Sequence, residues 1–261
     1  MEDYCQNCNQ HIAGNFCTNC GQKKYKRIDR KYLIDELQYS VLHTNKGFFY
    51  SVKNLVINPG KTARNYLDGN RVNHYKPILL AFVLSTISAF VSFKVLNFNT
   101  MMHDFYAENN IPESFTRDFM AFMSSYNSFM MLAFIPIISV ITVLAFRKWG
   151  HNYYEHIVMN AYIQSCFTIF TIVLVYPVLY FFSSDPKVFS TLSMYSILIM
   201  PFIMVWFYKN FYKEKPLGSI LLRLLLFLAM AFVLYMVVTI VIVVLIIIFN
   251  PEMMMQFQPK K

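Results

Sequence analysis

From Pro77 onward the chain is a series of long apolar runs separated by short polar breaks; before Pro77 it is not. The runs cover about 77–96, 128–146, 157–182, 191–208 and 219–249. Each reaches the roughly 20 residues that a helix needs to cross a hydrocarbon core ~30 Å thick. Their sum predicts an all-α helical transmembrane bundle of about five spans. Pro136, Pro177 and Pro201 fall inside runs two, three and four, where neighbouring helices can re-satisfy a carbonyl that proline leaves free. The fifth run is longer than a crossing requires, and Arg223 near its start is expected to snorkel toward the headgroups. The stretch 97–127 between the first two runs is polar enough to be a loop and has room for a short helix.

Upstream the period changes. Ile28, Leu33, Leu37, Val41 and Leu42 fall mostly four apart, which is helical spacing. Phe48, Phe49, Val52, Leu55 and Val56 form a second short stripe, stopped by Asn58-Pro59-Gly60. Proline lacks a backbone donor and glycine tolerates positive φ, so the tripeptide predicts a turn. Three regions follow: a cysteine head over 1–27, a basic amphipathic juxtamembrane segment over 28–76, and a membrane domain over 77–261.

Composition turns this pattern into a statement about solvent. Of the 261 residues, 56% are hydrophobic and 14% charged, against roughly 25% charged in an average soluble protein. Too little charge is present to cover a water-facing surface, so most of the chain must face a lipid bilayer. The formal net charge is +9, which suits either nucleic acid or an anionic membrane surface, and the placement of the charges separates the two. Twelve Lys and Arg lie in 1–76, two in the 147–156 loop and three in the 209–218 loop; Lys94, Arg117, Lys187, Lys260 and Lys261 fall on the other side. Lys and Arg concentrate in cytoplasmic loops, so the N-terminus is expected in the cytoplasm and the C-terminus outside. Tyr75, Trp149, Tyr153, Tyr154, Trp206, Tyr208 and Tyr212 gather at the inner interface in the same frame. The opening "MEDYCQNCNQ" has no basic n-region and no apolar core of a signal peptide. The head is therefore expected in a reducing compartment, where thiols stay free for metal.

Cys5-x2-Cys8, eight residues, then Cys17-x2-Cys20 is the sharpest chemical signal. Two knuckles that each present two thiolates match tetrahedral zinc, and Gly21 suits a tight knuckle turn. The eight intervening residues hold little more than a hairpin, and the segment has too few apolar side chains for a core. Bound metal must then supply most of its folding free energy. The expectation is a small zinc ribbon holding one structural Zn2+; a redox dithiol and an iron site are the alternatives. His11 is read as a solvated loop residue, and Cys166, alone in the third run, as a packing residue. Closed tetrathiolate zinc has no open coordination position, so this metal is not expected to catalyse.

In "KGFFYSVKNLVINPGKTARNYLDGNRVNHYKP" aromatics alternate with cations. Such a stretch is expected to lie in the interface with Phe48, Phe49 and Leu55 dipping in. Arg64 and Arg71 are the candidate lipid-phosphate contacts, since a planar guanidinium fork suits phosphate. Plain anchoring is the simpler account, and nucleic acid is disfavoured because the cations hug the membrane. The zinc head ending in "CGQ", then "LHTNKGFFYSVKNLVINPGKTARNYLDGNR", then "KP" opening a span, resembles an uncharacterised bacterial family. That family, a domain of unknown function, joins an N-terminal zinc ribbon to a multi-pass membrane domain. The resemblance runs over the whole chain and is most specific at Pro59-Gly60, Tyr66-Leu67, Gly69, Arg71 and Pro77. It implies the bacterial cytoplasmic (inner) membrane and no established activity.

"HNYYEHIVMNAY" places His151, Glu155 and His156 at the inner mouth of span three. His151 and Glu155, four apart, are expected on one helix face, and two imidazoles with a carboxylate can bind metal or relay protons. The plainer account is interfacial polarity, with Glu155 favoured at a helix N-terminus. Relatives, the resemblance implies, often carry a further histidine just beyond; here Asn160 and Tyr162 stand in that region. Asn160, Gln164, Ser165 and Thr168 give span three a polar face, as Ser85, Thr86 and Ser88 do for span one, and such groups commonly join helices. No nucleophile triad, paired intramembrane Asp, His-Glu-x-x-His or P-loop is present. The leading expectation is therefore a non-enzymatic scaffold, assembly or regulatory factor whose head docks a cytoplasmic protein. The alternative is a small transporter, channel or lipid-handling protein. A homo-oligomer is open.

Overall fold

A computed structural model of the chain describes residues 4–5, 7–21, 47–71, 74–108 and 113–249. The helix expected over 28–42 lies outside these residues. The chain divides into two compact units, Met1–Asn45 and Lys46–Lys261. In the first, a core of Cys5, Ile12 and Cys17 is joined by an isolated antiparallel bridge between Tyr4 and His11. Three sulfur-bearing or aliphatic side chains are the whole buried apolar content of that unit among the described residues.

Among its described residues the second unit consists of helices joined by short loops, with no strand. It contains five helices long and apolar enough to cross a membrane: Pro77–Val95, Thr116–Trp149, Tyr153–Phe181, Pro186–Phe211 and Leu217–Val241. In chain order the helices are α1 (Gly47–Ile57), α2 (Pro59–Leu67), α3 (Pro77–Phe90), α4 (Phe98–Glu108), α5 (Glu113–Phe146), α6 (Tyr153–Phe170), α7 (Tyr176–Phe181), α8 (Pro186–Ser196), α9 (Ile199–Phe211) and α10 (Leu217–Phe249). The loop between spans one and two does hold a helix, α4. Span two is longer than its apolar stretch, because α5 starts at Glu113 rather than near 128.

The spans carry three irregularities, and two of them have local causes. Val91–Val95 and Thr171–Val175 are π-helical turns continuing spans one and three, and Pro177, just past the second, lacks the N–H an α-turn would need. Span four breaks between α8 and α9 at Ile197 and Leu198. There Pro201 cannot bond the Ile197 carbonyl, which takes Met200 N–H instead at 3.0 Å. Arg223, expected at the headgroups, donates to Ala145 O at 2.9 Å and lies 6.0 Å from the Trp149 ring centroid. It thus satisfies one of the carbonyls that the last turn of α5 leaves unpaired.

The described part of the basic segment within the second unit, 47–71 and 74–76, is built into the bundle. Phe48 and Leu55 are buried in the main core with Cys166, Phe207 and Tyr208, while Phe49 and Ile57 stay exposed. Ser51 Oγ accepts from Tyr75 N–H at 2.8 Å inside this packing. The expected turn shrinks to one residue, Asn58, whose Oδ1 accepts from Lys61 N at 2.9 Å to cap α2. Pro59 and Gly60 already belong to the first helical turn, where proline loses nothing by lacking an N–H. Asn58 Nδ2 also donates to Asn210 Oδ1 at 3.0 Å, tying α2 to α9.

Gly60 sets the closeness of that crossing. A Cβ placed on it would collide with the Phe207 carbonyl oxygen and lie 2.6 Å from Phe211 N. Both are backbone atoms and cannot rotate away. An alanine at an unconstrained helical site is better than glycine by ~0.5–1 kcal/mol; here the sign must reverse. Gly60→Ala should destabilise the bundle by about 1–3 kcal/mol or more, read as a lower unfolding midpoint of the detergent-solubilised chain. Asn58→Ala should cost about 1 kcal/mol through the cap alone.

Candidate functional site

The two cysteine pairs fold into matching knuckles. Asn9 N–H donates to Cys5 O, and Gly21 N–H to Cys17 O, both at 2.9 Å. The residue after each second cysteine is left-handed, with φ 54° at Asn9 and 74° at Gly21. Glycine adopts that region without strain, and asparagine is among the few other residues that tolerate it. The sequence pointed to Gly21; the equivalent role of Asn9 was legible only by aligning the two pairs on each other.

Folded this way, the knuckles interleave their sulfurs. Cys5 Sγ lies 3.5 Å from Cys20 Sγ, and Cys8 Sγ 3.5 Å from both Cys17 Sγ and Cys20 Sγ. All four atoms fall within 4.8 Å of one another. Thiolates around a tetrahedral ion at ~2.3 Å sit ~3.8 Å apart, so the donor set fits a thiophilic metal. Among the described residues this is the one group that could hold a metal ion. Cys5 and Cys17 are buried, and Cys20 is exposed. Four sulfurs would fill a tetrahedral ion's coordination and leave none for substrate.

The structure gives His151, Glu155 and His156 different hydrogen bonding, although His151 lies near enough to act electrostatically on His156, and Glu155 on Tyr212. Asn152, not His151, starts the helix: Glu155 N–H donates to Asn152 Oδ1 at 3.0 Å and Asn152 N–H to Glu155 Oε2 at 2.7 Å, a reciprocal capping box. His151 therefore precedes α6 and shares no helix face with Glu155, which corrects the expectation from their spacing. Its Nδ1 is 3.1 Å from the Tyr212 hydroxyl, whose ionisation burial opposes. His156 is fully buried beside Phe146, with no hydrogen-bond partner on either ring nitrogen.

Arg64 donates to Phe211 O at 2.7 Å and pairs with Glu214 Oε2 at 3.1 Å. Glu214's carboxyl is held below its usual range by its own backbone N–H and then by Arg64. Arg71 lies 5.6 Å from the Tyr66 ring centroid and donates to Tyr66 O at 3.4 Å. Nearby, and unsuspected from sequence, His74 is 7% exposed with no partner on either nitrogen. It sits edge-on to Tyr50 at 5.1 Å and to Tyr66 at 6.4 Å. A single histidine in a polar stretch carries no signal that it is buried.

Fold and site together define a multi-pass helical membrane protein with a four-cysteine site able to bind a metal ion. Over residues 45–89, spanning α1, α2 and most of span one, the chain is similar to a family described as a protein of unknown function, DUF3667. No curated protein and no solved structure matches it.

Two outcomes follow from these sites. Full-length protein should carry one thiophilic metal ion per chain by elemental mass spectrometry, and Cys8→Ser or Cys17→Ser should abolish it. Burial lowers the His74 pKa below the ordinary ~6.5. The folded state then binds fewer protons than the unfolded one, so stability is complete above pH ~6.5 and falls as pH drops through the folded value. His74→Phe should flatten the dependence of the unfolding midpoint between pH 7 and 5.

Proposed function

We propose that the protein is a non-enzymatic scaffold, assembly or regulatory factor of the bacterial cytoplasmic membrane, whose zinc-bearing head docks a cytoplasmic protein. The observation that carries this reading is the head's division of labour. Its four sulfurs converge on one point, which leaves a tetrahedral Zn2+ closed to substrate. Meanwhile Tyr4 and Phe16 are 59% and 58% exposed, although the described head, which ends at Gly21, has few apolar side chains to bury. Exposed aromatics on a rigid support are the residues that most often anchor protein interfaces. The orientation rests on Lys and Arg, which concentrate in 1–76, 147–156 and 209–218. Arg64 and Arg71 are the candidate contacts to headgroup phosphate, because each guanidinium has more donors than its bonds to Phe211, Glu214 and Tyr66 use.

Tyr4→Ala with Phe16→Ala separates docking from metal binding. The double variant should keep its metal and lose the crosslinked species that the native chain forms with a soluble protein in intact membranes. An unchanged crosslinking pattern would overturn the reading.

A further inference from the structure

Between α5, α6, α9 and α10 lies a cavity of about 270 Å³. Its walls are apolar except for Asn160 and Gln164, and no charged side chain lines it. It reaches the break in span four: Ile197 and Leu198 form part of its rim and are 66% and 55% exposed. In a chain whose exterior faces lipid, that rim opens sideways to the bilayer rather than to water.

Hydrogen-bond accounting decides which end of Asn160 faces the cavity. Ser139 Oγ donates to Ile135 O at 2.6 Å, and Thr142 Oγ1 to Ser139 O at 3.1 Å. Each hydroxyl has one hydrogen, so both oxygens are left to accept. They take the Asn160 amide hydrogens at 3.0 and 2.9 Å. With both hydroxyls bonded back along their own helix, the amide orientation that matches them commits both Nδ2 hydrogens. Asn160 Oδ1 is left without a donor among the described residues, on a side chain only 5% exposed that lines the cavity. Gln164, one turn on, gives an Nε2 hydrogen to Met131 Sδ at 3.3 Å.

We propose that this cavity is a binding site for a neutral membrane amphiphile with a hydroxyl group, such as a long-chain or isoprenoid alcohol or a diacylglycerol. The hydroxyl donates to Asn160 Oδ1, and the hydrocarbon body fills the space toward Met204, Phe227 and the Leu198 rim. An unpaired acceptor in hydrocarbon is costly, which selects a ligand with a donor over a plain acyl chain. A phosphate or ammonium headgroup would find no counter-charge in the lining. The site is independent of docking by the head, and either reading can fail alone.

The test is photolabelling of full-length protein in nanodiscs with three diazirine probes of equal chain length: a long-chain alcohol, the alkane lacking the hydroxyl, and a phosphatidylcholine. The alcohol should label the peptide containing residues 197–204 about 3- to 10-fold more than the alkane, the value of one net hydrogen bond. Unlabelled alcohol should compete and phosphatidylcholine should not. Asn160→Leu should reduce the alcohol to the alkane's level. Leu198→Trp, at an exposed rim position that the packing does not depend on, should block both probes; it decides the matter if Asn160→Leu does not fold. Equal labelling by alcohol and alkane, effective competition by phosphatidylcholine, or labelling no stronger than at the exposed α10 residue Val237 would each overturn the proposal.

Discussion

Inside a bilayer the backbone has no water to fall back on, so its N–H and C=O groups must be satisfied within the protein, and a side chain left unpaired, as His156 is, carries a cost. Several hydroxyls of the bundle meet this constraint at short range. Ser165 donates to Ala161 O, Thr168 to Gln164 O and Thr86 to Phe82 O, each hydroxyl returning to the carbonyl four residues back. These bonds neutralise the hydroxyls without tying helices together. Other groups do the joining: Asn160 reaches Ser139 and Thr142 on α5, Ser88 meets the Tyr176 hydroxyl at 2.7 Å, and Arg223 closes the end of α5. Interhelical polar contacts in membranes contribute modestly, ~0.6–2 kcal/mol each. Their larger effect is on register, since only one alignment satisfies all of them.

The two units therefore fold by different means. Most of the second unit's exposed apolar surface, including Phe232, Tyr235 and Ile240 on α10, is at home in lipid and needs no covering. The head has almost no core: among the described residues Cys5, Ile12 and Cys17 are its buried apolar side chains, so a metal ion at the four sulfurs would carry the work that hydrophobic burial does elsewhere.

The five spans were legible because length and hydropathy are local properties. So were the knuckle spacing and the first-turn position of Glu155. The wedge made by α1 and α2 was not. Its amphipathic stripe read as an interfacial helix, yet Leu55 O lies 3.9 Å from the Cys166 thiol, a partner 111 positions on that no local pattern names. His151 failed for the opposite reason. The spacing to Glu155 was helical, but Asn152 offered a stronger N-cap and moved the helix start past it. Gly60 stood in a quoted motif as a turn former, whereas its missing Cβ serves the crossing with α9.

That crossing gives the wedge its meaning in the whole bundle. Asn58 and Gly60 fix α2 to α9, Arg64 holds the α9–α10 loop, and Tyr66 meets the Tyr162 ring at 5.9 Å on α6. Ser51 meanwhile secures the entry to span one through Tyr75 N–H. The entry to span one, spans three and four, and the loop leading to span five are thus gathered by a stretch too short and too polar to cross a membrane itself. The similarity to an uncharacterised family spans this wedge and most of span one. The helices that gather around it, α6 and α9, also wall the Asn160 cavity together with α5 and α10. The wedge and the cavity thus share two supporting helices, α6 and α9, while no residue belongs to both.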